Sequence, residues 1–161
     1  MPNQSRTLEN LQKALSMETT AIHQYLLHTH VLADWGLDLL SARMRQEMNE
    51  ELGHASRFID RILFLEAAPR IEASKTPRQS DSLDALFTAD LKEENAAIDF
   101  YSQAARDAAE DQDIGTRVLF EQILIDEEGH KDWLSRQLAL LQRMGEPTYM
   151  LKNMDHGGTD V

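Results

Sequence analysis

The feature that most constrains the fold is an internal repeat that carries the same acidic residues and histidines twice. A Glu-x-x-His motif occurs at Glu51 and His54 and again at Glu127 and His130. On a helix, residues three apart project from one face about one turn from each other. Each motif is therefore suited to binding a metal ion through one carboxylate and one imidazole.

A second pair of glutamates extends the repeat. The interval along the chain from Glu18 to Glu51 equals the interval from Glu94 to Glu127, so the whole unit occurs twice with the same internal spacing. Internal similarity of this kind constrains the architecture of a chain. It predicts a helix pair that is used twice, in which each pair offers one lone Glu and one Glu-x-x-His.

Apolar residues at three- and four-residue intervals predict four long helices and a short fifth one. Gly36 allows a tight reversal, and Pro69 stops the second helix. The expected helices are 5–34, 37–66, 82–109, 114–143 and 147–153, with a crossover at 67–81 and a loose tail at 155–161. A connection of about 15 residues suits a crossover that runs the length of a bundle. We expect a single all-α domain over 1–161, a four-helix bundle with one long crossover and a short C-terminal helix.

Composition narrows the function classes. The 161 residues are 42% hydrophobic and include no Cys, which removes disulfides, thiolate metal sites and Cys nucleophiles. A net charge of −12 argues against a nucleic-acid partner, whose phosphates attract Lys and Arg. The segment from Met1 to Arg6 lacks an apolar signal core, and no apolar run approaches the roughly 18 residues that span a bilayer. We expect a cytoplasmic protein with no membrane partner.

Six residues that bind metals well fall where the helical period predicts burial: Glu18, Glu51, His54, Glu94, Glu127 and His130. Burying carboxylates without partners raises their pKa values and costs several kcal/mol each, so positive charge is expected between them. Two divalent cations would neutralise the four carboxylates and leave the imidazoles neutral. Oxygen-rich ligands with two imidazoles favour iron or manganese over zinc or calcium. The sequence therefore predicts a dinuclear centre, and iron with open positions could react with dioxygen or peroxide.

The remaining histidines are weaker candidates. His23, His28 and His30 lie on the first helix, where only His23 and His30 are a heptad apart, and neither of those two shares the stripe of Glu18. Polar-face or subunit-contact roles are therefore expected for the three histidines rather than metal binding. His156 lies in the tail.

Two tyrosines each follow a lone Glu by seven residues, or about two turns. Tyr25 follows Glu18, and Tyr101 follows Glu94. Each is either a core tyrosine with a satisfied hydroxyl, or a hydrogen-bond donor to a ligand carboxylate and one-electron donor during oxygen chemistry. Tyr25 is the stronger candidate for the catalytic role.

Several runs of residues resemble the bacterioferritin branch of the ferritin-like di-iron proteins over essentially the whole chain. They are 21–22, 24–28, 35–37, 61–66, 126–130 and 132–134. The resemblance implies that the six residues above are the ligands of a ferroxidase centre with two iron ions per subunit, bridged by Glu51 and Glu127. It also implies a homo-oligomeric shell of 24 subunits that oxidises Fe(II) with O2 or H2O2 and stores ferric mineral, for iron storage and detoxification.

One position departs from the family pattern. Bacterioferritins bind haem between two subunits through a Met directly after the second-helix Glu, and that position here is Leu52. Leucine has no ligand atom, and Met48 could substitute only if the haem pocket shifted along the helix. We therefore expect a haem-free homo-oligomer.

Other functions stay open from the sequence alone. The chain could be the catalytic subunit of a mixed shell, in which a haem-binding bacterioferritin paralogue supplies haem for reductive iron release. It could instead be a non-storage di-metal peroxide scavenger, similar to a rubrerythrin without its rubredoxin part. A non-catalytic shell protein would be expected to lack one or more of the ligands. The sequence also leaves open whether the two irons are a permanent cofactor or iron in transit.

Overall fold

The computed structural model describes residues 4–155, and these residues contain five α-helices and no strand. The helices are α1 (Gln4–Asp34), α2 (Asp38–Phe64), α3 (Leu83–Glu110), α4 (Ile114–Met144) and α5 (Glu146–Asn153). The predicted all-α four-helix bundle with a short C-terminal helix is confirmed. The predicted tail beyond residue 155, with His156, lies outside the described residues.

Local chemistry determines where the helices begin and end. Ser82 and Asp113 cap α3 and α4, since each side chain accepts a hydrogen bond from the backbone N–H three residues later. Gly36 and Gly145 have φ values of 77° and 75°, in the left-handed region that favours glycine. α2 ends two residues before the predicted position, because Glu66 has a φ of 60° and cannot continue the helix.

Two apolar clusters fill the bundle, one at each end. The first core cluster contains Leu11, Ala14, Leu15, Ala55, Phe58, Ile62, Tyr101, Ala104, Ala105, Phe120 and Ile123. The second core cluster contains Tyr25, Leu32, Leu37, Leu40, Met44, Leu83, Leu86, Phe87, Leu134, Leu141 and Tyr149. α1 and α4 run from the first core cluster to the second, and α2 and α3 run the opposite way. The middle of every long helix therefore lies between two water-excluding layers.

The crossover at 65–82 returns the chain from the first core cluster to the second, alongside α1. Four polar side chains of α1, spaced four residues apart, hold it: Gln12, Ser16, Thr20 and Gln24. Gln12 donates to the carbonyl of Arg70 at 2.6 Å and accepts from its N–H at 2.9 Å. Gln24 makes the same pair of bonds with Arg78, at 2.9 and 3.0 Å. These bonds satisfy backbone groups of a segment that has no regular structure of its own.

No helix within residues 4–155 combines the length and the apolar character needed to cross a membrane.

Candidate metal centre

All six predicted ligands lie together at mid-height in the bundle, between the two core clusters. Each is at most 5% exposed, and the four long helices all contribute: Glu18 from α1, Glu51 and His54 from α2, Glu94 from α3, Glu127 and His130 from α4. Their donor atoms form two overlapping groups within which all atoms lie within 4.8 Å of one another. Glu51 and Glu127 belong to both groups.

Glu51 and Glu127 each divide their two oxygens between the two imidazoles. The Oε2 of Glu51 lies 3.0 Å from Nδ1 of His54, and its Oε1 lies 3.2 Å from Nδ1 of His130. In the same way, the Oε1 of Glu127 lies 3.2 Å from Nδ1 of His54, and its Oε2 lies 3.1 Å from Nδ1 of His130. The ring centroids of the histidines are 6.2 Å apart. Two adjacent groups of donor atoms, which share these two carboxylates, could therefore each hold a cation.

Glu18 and Glu94 lie at opposite ends of the cluster, and a buried tyrosine holds each one. Tyr25 donates a hydrogen bond to Oε1 of Glu94 at 2.5 Å, and Tyr101 donates to Oε1 of Glu18 at 2.5 Å. Both predicted tyrosines therefore reach a carboxylate of the cluster. Each bonds the glutamate of the other half of the repeat.

Burial and mutual interaction separate the carboxyl groups into two kinds. Burial, followed by repulsion from a neighbouring carboxylate, raises the pKa of Glu18 and of Glu94 well above the ordinary 4.5. Burial also opposes ionisation of Glu51, but hydrogen bonds from the two histidines outweigh it and place its pKa well below 4.5. For Glu127, burial and the charge of Glu51 are likewise outweighed by the histidines, so its pKa is lowered.

The histidines have the complementary shift. Burial lowers the pKa of His54 and of His130, but hydrogen bonds to the carboxylates outweigh it and raise both pKa values far above the ordinary 6.5. These directions favour a metal-free cluster in which two imidazolium groups face two carboxylates and two protonated carboxyl groups, so that the charges of these six residues balance. Two divalent cations with four carboxylates and two neutral imidazoles are neutral as well. The donor set therefore fits two divalent cations in a site with little access to water.

Comparison with known proteins shows the family to which the chain belongs. A family model described as a ferritin-like domain matches residues 8–144. A bacterioferritin from Rhodobacter capsulatus is 37% identical over 153 residues, which are 95% of each chain. This chain belongs to the bacterioferritin family. A Brucella melitensis bacterioferritin is 36% identical over 92% of each chain.

Solved bacterioferritin structures have the same fold. The Rhodobacter capsulatus structure, which has a metal-free dinuclear site and a haem iron, matches with a TM-score of 0.92 at 36% identity, over 100% of this chain and 99% of that one. A Mycobacterium tuberculosis bacterioferritin matches with a TM-score of 0.92 at 34% identity, over 96% and 98% of the two chains. The family resemblance found in the sequence is therefore confirmed.

The bacterioferritin fold also brings carboxylates to the outer nitrogens of the histidines, which sequence analysis missed. The Nε2 of His54 lies 3.2 Å from Asp126, and the Nε2 of His130 lies 2.7 Å from Glu50 and 2.9 Å from Glu47. Glu47, Glu50 and His130 form a third group with donor atoms within 4.8 Å. The available signal was the repeat itself, because Glu50 and Asp126 each directly precede the Glu of a Glu-x-x-His motif.

His28 was predicted to have a polar-face or subunit-contact role, and its burial contradicts a position on a polar face. Its side chain is 1% exposed, and its Nδ1 lies 3.0 Å from Asp90, which is 4% exposed. Gln24 contacts Nε2 of the same ring at 2.8 Å, so His28 joins α1 to α3 inside the bundle. His23 and His30 are exposed, in agreement with a polar-face position.

Proposed function

We propose that this bacterioferritin is a haem-free ferroxidase that oxidises Fe(II) to Fe(III) with O2 or H2O2 and stores ferric mineral in a 24-subunit cytoplasmic shell. Family membership supports iron storage. The observation that carries the ferroxidase activity is the division of the oxygens of Glu51 and Glu127 between His54 and His130. It supports two adjacent cation positions rather than one. Two iron ions that each go from Fe(II) to Fe(III) would supply the two electrons that reduce peroxide to water or dioxygen to peroxide.

The proposal assigns the ligands by position. Glu18 and His54 would hold one iron, Glu94 and His130 would hold the other, and Glu51 and Glu127 would contribute to both positions. When bound, the two irons supply the electrons that reduce the oxidant.

The surrounding residues prepare the site for that chemistry. The two core clusters exclude bulk water, so the ligand charges interact strongly. The two imidazoles and the carboxyl groups of Glu18 and Glu94 give up protons when metal binds, which keeps the buried centre neutral. Tyr25 orients Glu94 through its hydrogen bond and is positioned as a one-electron donor to the centre.

Haem does not fit this chain in the way expected for the family. By the family resemblance, Leu52 takes the position of the haem-ligand Met, and this side chain is 54% exposed and carries no donor atom. Met48 is partly buried against the second core cluster. We therefore propose that a homo-oligomer binds no haem. The haem content of protein produced alone and together with a Met-bearing paralogue would test this, and stoichiometric haem in the homo-oligomer would refute it.

Aerobic loading with Fe(II) tests the main proposal. The iron retained per subunit is counted after gel filtration, and the assembly size is measured in the same run. Retention far above two irons per subunit in a particle of about 24 subunits is expected. About two irons or fewer in a small oligomer would reject storage and favour a peroxide-scavenging enzyme.

A matched pair of variants tests the centre. Glu94→Ala removes a proposed ligand, whereas Glu93→Ala removes its exposed neighbour, which pairs with Lys75. Glu94→Ala is expected to abolish rapid Fe(II) oxidation, and Glu93→Ala is expected to retain it. Fe(II) oxidation by Glu94→Ala at the wild-type rate would refute the assignment of Glu94 to the site.

A further inference from the structure

We infer that Tyr101 is a positioning residue that sets the affinity of one of the two metal positions, the one that contains Glu18 and His54. The inference rests on the proposed dinuclear centre and deepens it. Its basis is a direct contact, because the Tyr101 hydroxyl donates to Oε1 of Glu18 at 2.5 Å. The side chain is 1% exposed, so water does not compete for this bond.

The two tyrosine bonds cross between the halves of the repeat. Each tyrosine lies seven residues beyond a glutamate of its own helix, about 10.5 Å along the axis. α1 and α3 run in opposite directions, so Tyr25 of α1 lies beside Glu94 of α3, and Tyr101 of α3 lies beside Glu18 of α1. Each end of the centre therefore has its own buried donor.

The aromatic neighbours of Tyr101 fix where its hydroxyl points. Its ring packs against Phe58 and Phe120 with centroid distances of 5.8 Å, and against Phe100 at 5.9 Å. A neutral phenol in this pocket can donate to Glu18, and the tightly packed ring cannot turn away from it.

The hydrogen bond limits the freedom of a ligand. Glu18 has several rotatable torsions, and its carboxylate must lie within 4.8 Å of the other donor atoms to contribute to the position. Groups that orient a metal ligand in this way change metal affinity by about 10- to 100-fold when they are removed. The effect should be confined to the position that contains Glu18, because Glu94 has Tyr25 as its donor.

Anaerobic titration with Co(II), followed by its visible absorption, tests the inference. Tyr101→Phe deletes only the hydroxyl and leaves a ring that fills the same aromatic pocket. Tyr149→Phe is the matched control, because this buried hydroxyl donates to Gln137 at 2.7 Å on the side of the second core cluster, away from the centre. Wild type and Tyr149→Phe are each expected to bind two Co(II) per subunit, and the two affinities measured for the control are expected to equal those of wild type. Tyr101→Phe is expected to bind one of its two Co(II) at least about tenfold more weakly.

A crystal structure of Tyr101→Phe at limiting Co(II) identifies the weakened position. Low anomalous signal beside Glu18, with full signal beside Glu94, is the expected result. Two wild-type affinities in Tyr101→Phe would overturn the inference, and so would equal weakening of both positions, because that indicates a general packing defect. Co(II) binding involves no oxidation. Wild type that binds two Co(II) but stores no iron would therefore reject the proposed function and leave this inference standing.

Discussion

Binding of two divalent ions to the metal-free protein should release about four protons per subunit near pH 7. The prediction follows from the shifted pKa values of the buried cluster. Burial and carboxylate repulsion raise the pKa values of Glu18 and Glu94 well above 4.5, and we expect both to hold protons because the charges of the six residues then balance. Hydrogen bonds to the carboxylates raise the pKa values of His54 and His130 far above 6.5, so both imidazoles are expected to hold protons as well. Each of these four residues must lose one proton to become a ligand.

The count follows from charge neutrality in a buried site. Two cations add four positive charges to a cluster that is already neutral, and with almost no exposure to solvent only proton loss can balance them. Linkage then requires the product of the two binding constants to rise by about four powers of ten per pH unit, as long as the four groups keep their protons in the metal-free form.

Proton release can be measured directly. Anaerobic additions of Zn(II) or Co(II) to weakly buffered protein, with a pH indicator, should show release that ends at two metal equivalents. Glu94→Gln removes one dissociable proton, so its release at saturating metal should fall to about three. Release of two protons or fewer by wild type with both positions filled would refute the charge argument, because it would show that Glu18 and Glu94 were already ionised.

Three further predictions concern stability. The free energy of unfolding of the metal-free protein should fall as the pH rises from about 4.5 towards 8. Native Glu18 and Glu94 keep protons that the unfolded chain releases above pH 4.5, and native His54 and His130 keep protons that it releases above pH 6.5. Urea unfolding at pH 5 and pH 8 measures this, and greater stability at pH 8 would contradict it. Phe120→Ala should lower the free energy of unfolding by about 3–5 kcal/mol, since loss of this fully buried ring leaves a cavity in the first core cluster. A decrease of less than about 1 kcal/mol, measured by chemical denaturation, would contradict this prediction. Gly115→Ala should lower the free energy of unfolding by about 1 kcal/mol. The new Cβ would lie 2.8 Å from the guanidinium of Arg61 and disturb its hydrogen bonds to Thr116 and Asp113, which stabilise the fold more than the gain in helix propensity does. A higher melting temperature of the variant would contradict this, because it would show that Arg61 moves aside at no cost.

Much of the fold could be predicted from the sequence because helical periodicity is a local property. Leu11, Leu15 and Glu18 lie on one face of a helix whatever packs against it, and the internal repeat indicated that the second half has the same face. The burial of the six candidate ligands followed from those stripes. The end of α2 was less predictable, since it depends on the backbone conformation of the single residue Glu66.

The polar contacts across helices were not predictable from the sequence alone. His28 was expected on a polar face or at a subunit contact, yet Asp90 of α3 faces it in the interior and makes its burial possible. The polar residues of α1 from Gln12 to Gln24 had no evident partner until the crossover was seen to run beside them. In both cases the partner belongs to a distant part of the chain, where no local pattern connects the two.

The sequence by itself determined which residues form the helices, which face of each helix is apolar and which donor atoms lie on those faces. These properties depend only on residues three or four positions apart. The tertiary structure decided which oxygen of Glu51 meets which histidine, and that Tyr101 bonds Glu18 rather than the glutamate of its own helix. Those pairings depend on the direction and rotation of the packed helices, which arise from burying all four apolar faces at once.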